Sequence, residues 1–207
     1  MSGGFVQLKV LVLSDAALPI STTGFAIPCR VAIDKFLDMG WQVHHLARGM
    51  KPSSELPTEW KGKPIKCFRP ERDFSGWEDA ARMIKTERMH EPYDLIFIEA
   101  DAGSINGWLK HFVNYIVSGE TKIIVHMPTE GGPLRGEGAN SITTLAVLGG
   151  VISTYTQYSA DIVKEAVRFY TARDSEKFTY NVYPVGLGAD HYDFKPLPEQ
   201  RAELREY

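Results

Sequence analysis

Short apolar runs alternate with amphipathic stretches along almost the whole chain, and that alternation restricts the fold more than any other feature. "LKVLVLS" (8–14) is nearly continuous in aliphatic residues, as expected of a strand buried on both faces of a parallel sheet. "WQVHHLA" (41–47), "PIKCF" (64–68), "YDLIFIEA" (93–100), "TKIIVHM" (121–127), "GVISTY" (150–155) and "KFTYNVYPV" (177–185) repeat the strand signal. Between them apolar residues recur at helical spacing. Cys29, Ala32, Ile33, Phe36 and Leu37 precede Gly40, a natural C-terminal cap, and helical stretches follow at 76–90, 105–117, 141–149 and 156–170. Strand alternating with helix predicts an α/β domain with a mostly parallel sheet and helices on both faces. Right-handed crossovers make such a sheet doubly wound and Rossmann-like.

In such sheets ligands sit beyond the carboxyl ends of the strands. The loops after residues 14, 100, 126 and 155 are therefore where function is expected. Composition narrows the class. A net charge of −3 with mixed signs lacks the dominant basic field of a nucleic-acid binder, so no nucleic-acid partner is expected. The segment 51–66 is locally basic; it reads as a solvated loop, with a polyanion or lipid-surface contact near Trp60 as the alternative. Cys29 and Cys67 each fall within a core element and read as reduced, small apolar residues of a cytoplasmic protein. The amino-terminal run lacks a signal-peptide pattern, and no stretch approaches the ~20 apolar residues of a membrane span.

Four strand-end loops hold the candidate residues. "STTGF" (21–25) opens the first helix, with Pro28 in its first turn. Gly24 would let main-chain amides approach an anion at the helix N-terminus, although the stretch reads equally well as an ordinary helix cap. His126 ends the buried run "IIVHM", and Thr129 and Glu130 follow on a glycine-flanked loop. An imidazole there can donate to or accept from a ligand hydroxyl or phosphate oxygen. Glu99 and Asp101 end another strand, where one of them is expected to cap the next helix. Thr156 reads as the N-cap of the last helix. His44 and His45 are adjacent on a strand and so face opposite ways, which excludes a shared metal site. "GLGADH" and "GEGANS" lack the third glycine of a dinucleotide fingerprint, and no P-loop or G-x-S-x-G occurs. Dehydrogenase, P-loop and serine-hydrolase readings lose their main support.

Taken in order, "KVLVLSD…STTGF", "FLDMGWQVHHLA", "IIVHMP", "TYTQYSADIVKEA" and "YPVGLGADHYDFKP" resemble the N-terminal domain of family-4 retaining glycosyltransferases, which have the two-domain GT-B fold. The resemblance implies transfer of a sugar from a nucleotide-diphosphate sugar to an acceptor, with no cofactor and no metal. It places Gly24, with Thr23 and Phe25 beside it, near the donor diphosphate, and His126, as the catalytic candidate, near the transferred sugar. Glu99, Asp101, Thr129 and Glu130 fall on the acceptor side. Retention would proceed by front-face attack within an ion-pair-like transition state, the leaving phosphate being stabilised by main-chain amides and basic groups.

The same resemblance divides the chain into an acceptor-side domain (1–185), an interdomain linker (186–197) and the start of a donor-binding domain (198–207). On that reading the partner is the remaining C-terminal domain, and this piece alone is expected to be inactive. Two alternatives stay open. One is a self-sufficient Rossmann-like binding domain without catalysis. The other is half of a sugar-nucleotide epimerase, which would draw its general acid and base from His126, Glu99, Asp101 and Glu130.

Overall fold

The computed structural model describes residues 7–16, 24, 26–48, 55–87, 90–116, 121–129, 133–171, 178–179 and 181–185. Thr23, Phe25, Glu130, the expected linker 186–197 and the segment 198–207 lie outside these residues. The elements, in chain order, are β1 (Lys9–Ser14), α1 (Ala26–Asp38), β2 (Gln42–Ala47), β3 (Glu59–Trp60), β4 (Lys63–Pro64), β5 (Lys66–Phe68), α2 (Trp77–Glu87), β6 (Leu95–Glu99), α3 (Ala102–Ile116), β7 (Lys122–Met127), α4 (Gly136–Val147), β8 (Val151–Thr154), α5 (Gln157–Thr171) and β9 (Val182–Pro184).

Seven strands form one sheet in the order β5-β2-β1-β6-β7-β8-β9, and every neighbouring pair is parallel. The expected doubly wound α/β architecture is what the chain adopts. From β1 it winds outward to β2 and β5, then crosses back to β6 and winds the other way. The reversal leaves a switch point between β1 and β6, the place where doubly wound sheets take their ligands.

Helices cover the sheet unequally. Leu11 and Leu13 of β1, Ile96 and Ile98 of β6 and Val125 of β7 pack against α2, α3, α4 and α5 through Ala80, Trp108, Phe112, Ile142 and Val163. Trp108 and Phe112 have no exposed surface, and burial of such side chains contributes about 1.5–3 kcal/mol each. The opposite face carries Val10 and Val12, which pack beneath Cys29, Ile33, Phe36 and Leu37 of α1. On that side α1 is the one covering helix among the described residues. Both cysteines are free and buried.

Three elements depart from the sequence expectation. The hairpin β3–β4 was not expected, because two-residue strands carry no alternation. Its turn is set by Lys61 and Gly62, both at positive φ. It is pinned to α1 by Lys61 on Asp34 and Lys63 on Asp38, so these charges of the basic segment face a helix of the same chain. Helix α4 starts at Gly136, not at 141. The glycine-rich "GEGAN" is held helical by α3: Asn106 donates to Glu137 (3.1 Å), and a Cβ on Gly138 would already touch Ala102 at 3.5 Å. The run 177–185 is strand only at Val182–Pro184, and Phe178 and Thr179 sit in a helical turn.

Candidate functional site

Parallel register carries one position of every strand to the same face at the carboxyl edge. Ser14 pairs with Glu99, Glu99 with His126, and His126 with Ser153. A polar row therefore crosses β1, β6, β7 and β8 directly at the switch point, on the α1 side. Each of its members is the first polar residue closing an otherwise apolar run. All four are buried.

The row is bonded at both ends. Ser14 Oγ accepts from the Ala16 main-chain N–H at 2.8 Å, which turns the chain after β1. Ser153 Oγ lies 2.7 Å from His126 Nδ1 and donates to the Val125 carbonyl at 3.2 Å. Ser153 Oγ thus anchors the ring through Nδ1, in a hydrogen bond whose direction goes with the imidazole tautomer. Nε2 faces Glu99 Oε2 at 4.0 Å.

Glu99 has no exposed surface. Its Oε1 accepts from the Tyr155 hydroxyl at 2.6 Å, whereas Oε2 has no hydrogen-bond partner among the described residues. Burial pushes the carboxyl up to about 8, against the Tyr155 hydrogen bond, with the Asp15 charge adding to the rise. Glu99 is accordingly a neutral acid at pH 7. Burial likewise pulls His126 down to about 4, a neutral imidazole. The Tyr155 ring packs against the His126 ring at an interplanar angle of 57°, with centroids 4.7 Å apart.

The remaining candidates border this row. Asp101 is exposed and caps α3, accepting from the Ser104 N–H at 2.8 Å; of the two acids, it is the one that caps the helix. Thr156 caps α5, accepting from the Ser159 N–H at 3.1 Å. The Thr129 carbonyl accepts from Ser159 Oγ at 2.9 Å, which ties the loop after β7 to that cap, while Thr129 Oγ1 is enclosed without a partner among the described residues. Gly24 is exposed ahead of α1, and a Cβ there would meet nothing within 4 Å. The structure thus brings Glu99 and His126 together and sets Asp101, Thr129 and Gly24 on separate loops of the same edge.

Sequence reasoning missed Ser153, Tyr155, Asp15 and Arg48. Arg48, just past β2, donates to Ser104 at 2.7 Å and lies 3.5 Å from Asp15. Burial raises the Asp15 carboxyl above its usual range, Ser104 opposing and Asp101 adding to the shift. The signal for Ser153 was its register with His126, which needs the strand pairing to be known. His44 and His45 diverge as expected: His44 Nδ1 meets the Tyr93 hydroxyl at 2.8 Å, and His45 Nδ1 meets the Val12 carbonyl at 3.2 Å. No group of three His, Cys, Asp or Glu able to hold a metal occurs among the described residues, and none of their helices is long and apolar enough to cross a membrane.

No protein-family model matches the chain, and no curated protein matches its sequence. Among solved structures it is similar to an alpha-glucosyltransferase in complex with UDP and a 13-mer DNA, at 12% identity and a TM-score of 0.47, over 90% of this chain and 43% of that one. It is also similar to Arabidopsis thaliana UGT89C1 complexed with UDP-L-rhamnose, at 14% identity and a TM-score of 0.47, over 96% of this chain and 54% of that one. An oxidoreductase of the short-chain dehydrogenase/reductase family from Brucella ovis, with a partially ordered NAD, matches at 10% identity and a TM-score of 0.42, over 88% of this chain and 100% of that one. The chain spans about half the length of the first two. At TM-scores of 0.47 or less these likenesses name no family; the fold is read from the strand order itself.

Proposed function

We propose that this chain supplies the acceptor-side half of a retaining glycosyltransferase of the GT-B type, working on a nucleotide-diphosphate sugar. The observation that carries the reading is the polar row Ser14–Glu99–His126–Ser153, which lies at the sheet's switch point, where doubly wound folds take their ligands. The ordered sequence motifs, the resemblance at the 186–197 junction included, point the same way. His126 would lie beside the transferred sugar, and Gly24, with open space around it, would let main-chain amides approach the diphosphate. A second domain would close the crevice and hold the nucleotide, so that this chain alone binds nucleotide sugars weakly. Asp101, Thr129 and Glu130 would face the acceptor. Glu99, fully buried, would act on it through His126 and Tyr155.

The test is a panel of nucleotide-diphosphate sugars incubated with the full-length natural gene product, read by nucleotide release and by anomeric configuration of the product. The reading expects release from at least one donor, with retention. Inversion would overturn the retaining assignment, and redox turnover of NAD in place of sugar release would overturn the transferase.

A further inference from the structure

The polar row lies on the α1 side of the sheet, and a second polar cluster ends the opposite face. Main-chain bonds from the Asp15 N–H to the Glu99 carbonyl (3.3 Å) and from the Arg48 N–H to the Ser14 carbonyl (2.8 Å) carry the ladder one residue beyond β1 and β2. Side chains alternate along such a ladder. Asp15 therefore follows Leu11 and Leu13, and Arg48 follows Leu46, on the face that α2 and α3 cover. There Arg48 meets Asp15 and Ser104, and Ser104 meets Asp101.

This cluster is built around one hydroxyl. Ser104 Oγ accepts from Arg48 Nη1 at 2.7 Å and donates to Asp101 Oδ2 at 3.4 Å. Ser104 is buried, whereas the Arg48 side chain keeps 37% of its surface and Asp101 is exposed. The outer side of this donor–acceptor pair therefore meets solvent. Both Arg48 side-chain contacts run through Nη1, and a guanidinium has three further N–H groups on Nε and Nη2; a carboxylate such as that of Asp101 has lone pairs to spare. Asp15 is more enclosed, its side chain 11% exposed, and its Oδ1 stands 3.5 Å from Arg48 Nη1 with no hydrogen-bond partner among the described residues. It holds the guanidinium by charge without closing a hydrogen bond.

The loop between β5 and α2 adds an apolar surface at the same edge. The buried Asp79 carboxylate accepts from the Glu71 and Arg72 N–H groups at 2.8 and 3.1 Å. Asp73 accepts from the Trp77 and Glu78 N–H groups at 3.3 and 3.0 Å. Gly76, at φ 72°, sits where a Cβ would stand 3.5 Å from Leu46 Cδ2. That contact sets the loop against the end of β2, the strand that delivers Arg48. Phe74, within this loop, is 74% exposed, and none of the contacts that fix the loop uses its ring.

Resting on the reading of this edge as a sugar-transfer site, we propose that Arg48, Asp101 and Phe74 form the acceptor subsite and that the acceptor is a neutral saccharide. A sugar hydroxyl both donates and accepts, so it takes the place on the outer side of Arg48 and Asp101 that Ser104 takes on the inner side. The apolar face of the sugar ring packs on Phe74, an aromatic wall beside a few converging polar groups, as in small-molecule sites generally. A phosphate or carboxylate has no proton to give Asp101 and meets like charge at Asp15 and Asp101, so an acidic acceptor is disfavoured. Asp15 is a positioning residue, acting through Arg48.

The test is binding to the isotope-labelled full-length protein without donor. Methyl glucosides, methyl mannosides, maltose and lactose are titrated in, with glucuronate as the acidic counterpart. At least one neutral saccharide is expected to move the Arg48 Nε–H signal and the Phe74 and Asp101 amides, glucuronate binding more weakly. Phe74→Ala and Arg48→Gln should each weaken that saccharide at least ~10-fold. Phe74→Ala removes only exposed surface and keeps Tm, so it decides the matter where Arg48→Gln fails to fold. No response to any neutral saccharide, tighter binding of glucuronate, or an affinity unchanged in Phe74→Ala would each overturn the proposal. A cluster that merely ties α3 to the strand ends would lose Tm in Arg48→Gln and bind no saccharide. The measurement needs neither donor nor turnover; nucleotide release with retention onto an acidic or lipid acceptor would leave the transferase reading standing and end this proposal.

Discussion

Titration of the folded chain gives the sharpest quantitative expectation, because its buried ionisable groups pull in opposite directions. Burial lowers His44, His45 and His126 from 6.5 to about 4, with Lys9 and Lys66 adding to the effect at His44. Between about pH 4 and 6.5 the unfolded chain binds three protons that the folded chain refuses. Burial raises Glu99 from 4.5 to about 8, so between those values the folded chain keeps one proton that the unfolded chain releases. Each such proton contributes a slope of about 1.4 kcal/mol per pH unit. From about pH 4.5 to 6.5 the histidines exceed Glu99 by two protons, and stability rises by ~3 kcal/mol per unit. From about pH 6.5 to 8 Glu99 acts alone, and stability falls by ~1.4 kcal/mol per unit. Maximum stability is expected near pH 6.5. The assay is urea denaturation in buffers spanning that range, for the wild type and for Glu99→Gln. The variant should lose the alkaline decline and show a steeper acid limb, ~4 kcal/mol per pH unit, because three histidine protons then act unopposed. A wild type whose stability is flat or rising above pH 6.5, or a variant that declines equally, would refute the burial argument.

Three further outcomes are expected. Gly107→Ala places a methyl 2.1 Å from Trp77 Cε2, inside the α2–α3 contact, and should cost about 1–3 kcal/mol; an unchanged melting temperature would show that Trp77 moves freely. Asp101→Ala removes the α3 N-cap and should cost ~1 kcal/mol, measurable by thermal denaturation. His126→Ala in the full-length protein should lower kcat by at least ~100-fold while shifting Tm by only a few degrees; unchanged kinetics would remove His126 from the site.

The inner strands were legible because each is an apolar run too short to be a helix, and their parallel arrangement followed from the helical stretches between them. Glu99, His126 and Asp101 were legible as polar residues closing those runs. What stayed hidden depends on distance in sequence. Ser153 gains its meaning from lying one strand away from His126, and Tyr155 from its bond to an acid 56 positions earlier. The helical state of "GEGAN" likewise rests on Asn106 and Ala102 of another helix, which local glycine content argues against. The two-residue strands of the β3–β4 hairpin carry too few residues for any periodicity to show.

Binding mapped at single residues would judge the crevice itself. Amide shifts of the isotope-labelled full-length protein, followed as UDP and then a UDP-sugar are added, should move at Asp15, Gly24, Ala100, Asp101, His126, Thr129 and Tyr155, the carboxyl edge of β1, β6, β7 and β8. Shifts confined to the amino edge around Lys9, Asp94 and Lys122, or to the outer surfaces of α3 and α5, would place the ligand elsewhere and end the proposal that the switch point is where this chain works.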